Sequence, residues 1–266
     1  MPSSLSSLIN AVETADSATA LSDAVQNLAD AGLPESAPYL IDALSYNNPG
    51  AAVAAVDGLV KLGLPVVPGL LEQMDLHNYT ARSWAVRALA GIGDPRGLPT
   101  LLEAATADLS MSVRRAATRG LGQMKWHQFP TQFVEMAQTT ALEALLAIAQ
   151  QDEEWVVRYA AVVGLESLAA AAPASDCPWR SHIFQQLEQM TTQEKIPAVQ
   201  ARARRAQERL LEASPSPDTV VEAERSPLAD VNWEQLMAQL NERKATEKSP
   251  NMAGDAEHFQ ELLNAG

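Results

Sequence analysis

Small apolar residues gather along the chain into stretches that repeat one pattern. Ala51-Ala-Val-Ala-Ala-Val-Asp-Gly-Leu59, Ala81-Arg-Ser-Trp-Ala-Val-Arg-Ala-Leu89, Val113-Arg-Arg-Ala-Ala-Thr-Arg-Gly-Leu121 and Val157-Arg-Tyr-Ala-Ala-Val-Val-Gly-Leu165 each run into a small residue or glycine and close on leucine. The closing leucines stand 30, 32 and 44 residues apart. That interval is about one helical hairpin, so the repeated unit is a pair of helices that buries its apolar face only by stacking on its neighbours. The wider third interval predicts an expanded hairpin before the fourth unit.

Punctuation sets the boundaries. The first helix of each pair is short and starts at or soon after proline, where the missing N–H costs little, which predicts helices over 38–44, 65–74 and 98–107. Gly63 and Gly93 follow second helices, in the place of a left-handed terminal residue, and Asp94-Pro95 opens the next turn. Residues 131–150 and 153–171 form a fourth pair, 182–190 and 197–211 a last one, and 3–15 with 18–31 an N-terminal capping pair. Beyond Leu211, Ser214-Pro-Ser-Pro-Asp218 reads as a flexible linker. The pattern therefore predicts an all-α fold, an α-solenoid of HEAT-like helical-hairpin repeats over residues 1–211. Residues 212–266 form an acidic, largely disordered tail with short amphipathic segments at 231–240 and 258–263. In the first of these, Trp233, Leu236, Met237 and Leu240 share one helical face, the spacing of a helix that docks in a groove.

Composition narrows the function. Apolar residues make up 47% and aromatics only 5% of the chain, with Ala, Leu and Val prominent, as closely packed helices require. A net charge of −14 and a pI near 4.7 argue against nucleic acid, whose backbone calls for a basic stripe. A lone cysteine, Cys177, excludes an internal disulfide, and Met1-Pro2-Ser3-Ser4 has neither the basic nor the apolar stretch of a signal peptide. The expected location is cytoplasmic, or the stroma of a plastid. No membrane span is predicted, since even 51–71 is interrupted by Asp57, Lys61 and prolines. His77, His127, His182 and His258 are too scattered for a metal site, glycine motifs for phosphates are missing, and Cys177 has no fixed local base.

What remains is a ladder of arginines. Arg82, Arg114 and Arg158 occupy one repeat position, and Arg87 and Arg119 another. Two readings stand: forks that pair with carboxylates of the neighbouring repeat, or anchors on an anion-binding concave surface. Asn48 and Asn78, beside Tyr46 and Tyr79, stand at the starts of second helices, as ordinary caps or as polar ligands. Trp126 and Trp155 are core residues or ligand platforms.

The strings 46–59, 78–96, 109–121 and 154–165 resemble the F-type subunit of the two-subunit (CpcE/CpcF) lyases that attach bilins to phycobiliproteins, and the resemblance spans roughly residues 5–211. It implies an enzyme subunit, inactive alone, that works with an E-type partner, binds phycocyanobilin and helps join it by a thioether to a cysteine of the phycocyanin α subunit. Phycocyanobilin is then a substrate, with no permanently bound cofactor. The implied bilin-binding residues are Asp57, Asn78, Tyr79, Arg82, Trp84, Arg87 and Arg114: arginines for the propionates, Asp57 for pyrrole N–H groups, Trp84 or Tyr79 for the tetrapyrrole plane. F subunits of this kind end near the equivalent of Leu211, which makes the acidic tail an addition. The isomerising relatives carry an adjacent His-Cys pair that this chain lacks. The alternative use of such a surface is a non-catalytic adaptor or scaffold, in phycobilisome assembly or turnover or for another protein partner.

Overall fold

A computed structural model describes residues 4–75, 78–171, 178–212, 228 and 231–248. Helices α1 (Leu5–Glu13) and α2 (Ala18–Asp30) form the N-terminal pair. Next come α3 (Ala37–Ala43) with α4 (Pro49–Leu62), α5 (Val67–Glu72) with α6 (Tyr79–Ile92), and α7 (Leu98–Ala107) with α8 (Met111–Gly122). The long α9 (Thr131–Gln151) pairs with α10 (Trp155–Ala170), and α11 (Pro178–Gln193) with α12 (Pro197–Glu212). Every regular element among the described residues is helical. The even-numbered helices α2 to α12 stack on one another as one layer of the repeat unit, and each packs against its odd-numbered partner.

Caps and prolines explain the starts. Ser4, Ser17, Asn48 and Asn78 each accept a hydrogen bond from the backbone N–H three residues on, satisfying a donor that the first turn leaves free. The short helices open differently from the expectation at 65–74. Each begins as a separate 3₁₀ turn, Pro34–Ser36, Leu64–Val66 and Pro95–Gly97, and only then becomes α-helical. The cause is a second proline in the first α-helical turn, Pro38, Pro68 and Pro99, which has no N–H to bond back into that turn. Gly63 and Gly93 end α4 and α6 at φ of +73° and +69°, where a side chain is strained. The Gly93 carbonyl accepts the Lys125 N–H at 2.8 Å, locking this turn to the next repeat.

The closing leucines Leu59, Leu89, Leu121 and Leu165 are all buried. Beside them the stacked helices come close. A Cβ on Gly120 would meet Ala90 at 2.6 Å, and one on Gly122 would strike the backbone of Gly164. Small residues at these contacts set the distance between neighbouring helices.

Arginine forks bind consecutive repeats. Arg114 of α8 donates from Nε and Nη2 to the two Asp152 carboxylate oxygens, at 2.8 and 3.1 Å. Its Nη1 holds the Asp108 and Leu109 carbonyls of its own preceding loop. One repeat later Arg158 grips Glu194 at 2.7 and 2.9 Å and the carbonyls of Asp152 and Glu153. Each carboxylate also accepts a backbone N–H two residues on, from Glu154 and Ile196. At the corresponding place in α12, Gln200 keeps the loop contact, donating to the Glu194 carbonyl at 2.6 Å. The first rung differs. Asp108 accepts the Tyr79 hydroxyl at 3.2 Å, and the Arg82 guanidinium lies over the Tyr79 ring, 5.4 Å from its centroid.

The second unit, residues 229–266, contains α13 (Trp233–Lys248), longer than the amphipathic segment expected at 231–240; Asn232 caps it by accepting the Gln235 N–H at 3.1 Å. The segment expected at 258–263 lies outside the described residues.

Two measurements follow from the joints. Gly122→Ala is expected to lower stability by roughly 1–3 kcal/mol, because backbone rather than a flexible side chain blocks the new methyl. Gly97→Ala, whose methyl would meet Leu89 at an ordinary 3.7 Å, serves as the control; equal melting of the two variants in a thermal scan would contradict this account of the spacing. The second concerns pH. The Arg158 fork, aided by the Ile196 N–H, holds the Glu194 carboxyl below the usual carboxylate range. Folding thus favours its ionised form, and the stabilisation is complete above about pH 4.3 and lost as pH falls through the lower folded value. Denaturant titrations of the wild type and Arg158→Gln from about pH 6 to about pH 3 should therefore show a stability gap that narrows with acid. A gap independent of pH would mean the fork contributes nothing through charge.

Candidate functional site

The repeat register places residues in rows across the stacked helices. Asp57, Arg87, Arg119 and Val163 precede the closing leucines by two positions, and Val53, Ser83, Arg115 and Tyr159 by six. Four residues along a helix return to the same face, so these two rows form one continuous surface. Across α6, α8 and α10 that surface sinks into a groove of about 740 Å³.

Small residues make the groove. Ala90, Gly120 and Ala160 are buried beneath it, leaving a low floor on which a flat molecule can lie. Above the floor stand Arg87, Arg115 and Arg119, and from α10 Trp155 and Tyr159, which are 42% and 37% exposed. No aspartate or glutamate is among the lining residues. In a chain of charge −14 this is a local reversal of sign. Arg115 and Arg119 have no carboxylate partner among the described residues. Arg87 lies over the Trp84 ring, 4.3 Å from its centroid, a contact that orients the guanidinium without neutralising it. Burial, and then the Arg115 cation, push Arg87 below its ordinary value, though a guanidinium stays protonated. Unpaired cations over an apolar floor suit a large planar anion, and volume in this range suits an organic ligand.

The residues singled out in the sequence divide between this groove and the edge of the stack. Arg87 lines the groove and Trp84 backs it. Asp57 occupies the same row on α4 but is exposed and outside the lining. Asn78 caps α6, Tyr79 bonds Asp108, Arg82 covers Tyr79, and Arg114 is engaged with Asp152; these four sit where α6 and α8 begin. Arg119 is no fork, having neither a carboxylate nor a carbonyl partner among the described residues. Trp126 is core, stacked on Phe129 at 5.4 Å, whereas Trp155 is a groove residue. Sequence reasoning weighed Trp155 as core or ligand platform and left Arg115 and Tyr159 out of the site; the signal that reaches Arg115 is its spacing of four from Arg119. Cys177, His77 and His258 lie outside the described residues. Among the described residues no group of three His, Cys, Asp or Glu side chains is placed to hold a metal ion, and no single helix is long and apolar enough to cross a membrane.

Known proteins agree with this architecture. Residues 67–166 match the HEAT-repeat family. The chain is 52% identical over 276 aligned positions to a phycocyanobilin lyase subunit beta of Pseudanabaena tenuis, covering 100% of this chain and 98% of that one. It is 50% identical to the phycocyanin alpha phycocyanobilin lyase CpcF of Synechocystis sp., over 68% of this chain and 85% of the relative. The F subunit lengths differ accordingly: the tail expected to be an addition is matched by the Pseudanabaena protein along its whole length. Among solved structures, a chain in the complex of CpcE and CpcF of phycocyanin lyase from Nostoc sp. superimposes with a TM-score of 0.59 at 44% identity, over 65% of this chain and 98% of that one. With half its residues shared across its full length, the chain belongs to the family of phycocyanobilin lyase beta (CpcF) subunits.

Proposed function

We propose that this chain is the F-type subunit of a heterodimeric bilin lyase, which binds phycocyanobilin with an E-type partner and helps attach it to a cysteine of the phycocyanin α subunit. The observation that carries this reading is the full-length match to the Pseudanabaena lyase subunit. The acid-free arginine groove gives the bilin a place to lie. Phycocyanobilin is the substrate, and no resident cofactor enters the scheme. The compartment in this reading is the cytoplasm or a plastid stroma, where the acceptor thiol stays reduced.

The reaction is an addition. The acceptor thiolate forms a C–S bond to the exocyclic carbon of the ring A ethylidene, the π pair moves to the adjoining ring carbon, and a proton returns there, so nothing leaves. A reaction of this form needs placement more than it needs a nucleophile from the lyase. Arg87, steadied by Trp84, anchors a bilin carboxylate by a charge-assisted fork. Asp57, one helix away in the same row, meets pyrrole N–H groups. Asn78, Tyr79, Arg82 and Arg114 act from the edge by ordering the turns that open α6 and α8. An open groove exposes the far side of the tetrapyrrole, and the E-type partner closes it, excluding water.

Two outcomes test this. The isolated chain, mixed with phycocyanobilin and apo-phycocyanin α, should give no denaturation-resistant colour, while addition of an E-type subunit should restore it; a chain serving only as an adaptor would give neither attachment nor a shifted visible spectrum. Within the heterodimer, Arg87→Gln should weaken bilin binding by about 1.5–3 kcal/mol with little change in melting temperature. Full-strength binding in that variant would remove Arg87 from the site.

A further inference from the structure

Three arginines without a carboxylate partner among the described residues are more than one carboxylate needs. Arg115 and Arg119 are successive exposed residues of one face of α8, about 6 Å apart along its axis, and Arg87 stands on the adjoining α6. Packed helices are separated by about 8–10 Å, less where glycine and alanine line the contact as Gly120 and Ala90 do here. The cations therefore stand on two neighbouring helices, Arg87 on α6 and Arg115 with Arg119 on α8, and Arg115 is near enough to Arg87 to disfavour its charge. On the far side, the half-exposed Trp155 and Tyr159 of α10 line the same space. None of these side chains is used by the forks that hold the repeats together.

Resting on the bilin-lyase reading above, we propose that the groove is a two-carboxylate clamp in which Arg115 and Arg119 take the second propionate of the tetrapyrrole, fixing its position along the groove against Trp155 and Tyr159. The propionates of a bilin stand on adjoining pyrrole rings, so a ligand held at one of them can still swing about that point. A second anchor on the neighbouring helix stops the rotation. The clamp makes the free diacid the preferred ligand, because arginine forks left facing an ester or an amide lose their charge-assisted partner. The low floor over Ala90, Gly120 and Ala160 leaves room for the conjugated plane and adds no side-chain hydrogen bond to it, so the carboxylates are read by the cations.

The test compares phycocyanobilin with its dimethyl ester, which keeps the plane and blocks both carboxylates. Binding is followed by visible absorption on the heterodimer with its E-type partner, for wild type, R115Q, R119Q and the doubly substituted R115K/R119K. Wild type should prefer the free acid by roughly tenfold or more. R115Q and R119Q should each reduce that preference with unchanged melting, and the lysine pair, retaining charge without the fork, should fall between. Equal binding of acid and ester by wild type, or an undiminished preference in the glutamine variants, would overturn the clamp while leaving the lyase reading in place. Failure of both ligands to bind the wild-type heterodimer would instead overturn the lyase reading and the clamp with it.

Discussion

Neighbouring helices of the stacked layer approach so closely that a methyl group at their contact must displace backbone. At the position just before the closing leucine stand Gly58, Ala88, Gly120 and Gly164, and the Gly122 contact with Gly164 leaves no space for Cβ. Much else depends on that distance. It lets a side chain on one helix reach the loop that opens the next, so an arginine fork can span two repeats. It also keeps the floor of the groove shallow, since the residues that permit close approach are those that fill no space above it. Stability and ligand space are consequences of one constraint.

The same helices carry arginines of two kinds. One row is saturated: Arg114 and Arg158 have a carboxylate and two carbonyls each, and the bonded carboxylates, Asp152 and Glu194, raise their values. The other rows, which hold Arg87, Arg115 and Arg119, face the groove with no acid at hand. Separating the two on one helix keeps the recognition charges free without weakening the joint. The chain has 33 acidic residues, and none of the described ones lines the groove. On the shorter-helix side, a buried Asp94 holds Arg96, which donates to the Leu64 carbonyl at 2.9 Å, a third use of arginine that is purely structural.

Periodicity made the helix pairs legible, and α7 matches its expected span of 98–107 residue for residue. Proline pairs were less legible, because one proline starts a helix and a second, three or four residues later, delays it. Equivalence of repeat positions exposed the ladder but not its outcomes. Arg82 and Arg114 have the same place in the repeat, and Asp108 and Asp152 are equivalent carboxylates. Yet Asp108 is taken by a phenol, because Tyr79 opens α6 where Met111, which has no such donor, opens α8. The groove was hardest to read. Its rows contain Val53, Ser83, Arg115 and Tyr159 in one column, residues with no common chemistry, and only stacking shows that they share a surface.

That exchanged rung gives the stack a direction. From α8 onward the joints are ionic, with Asp152 and Glu194 in forks and Arg202 and Arg209 converging on Glu166. Toward the N-terminus the stacked helices are joined through uncharged donors: Asn48 donates to the Ala18 carbonyl and accepts from Ser22, and Tyr79 donates to Asp108, while the Asp94–Arg96 ion pair lies on the shorter-helix side. The Lys61–Asp30 pair there is too exposed to hold much. Of the carboxylates in the ionic joints, Glu194 is the one that the Arg158 fork holds below its ordinary range, so the joint between α10 and α12 is the one that weakens as pH falls, and that joint belongs to the helix that carries the aromatic wall of the groove.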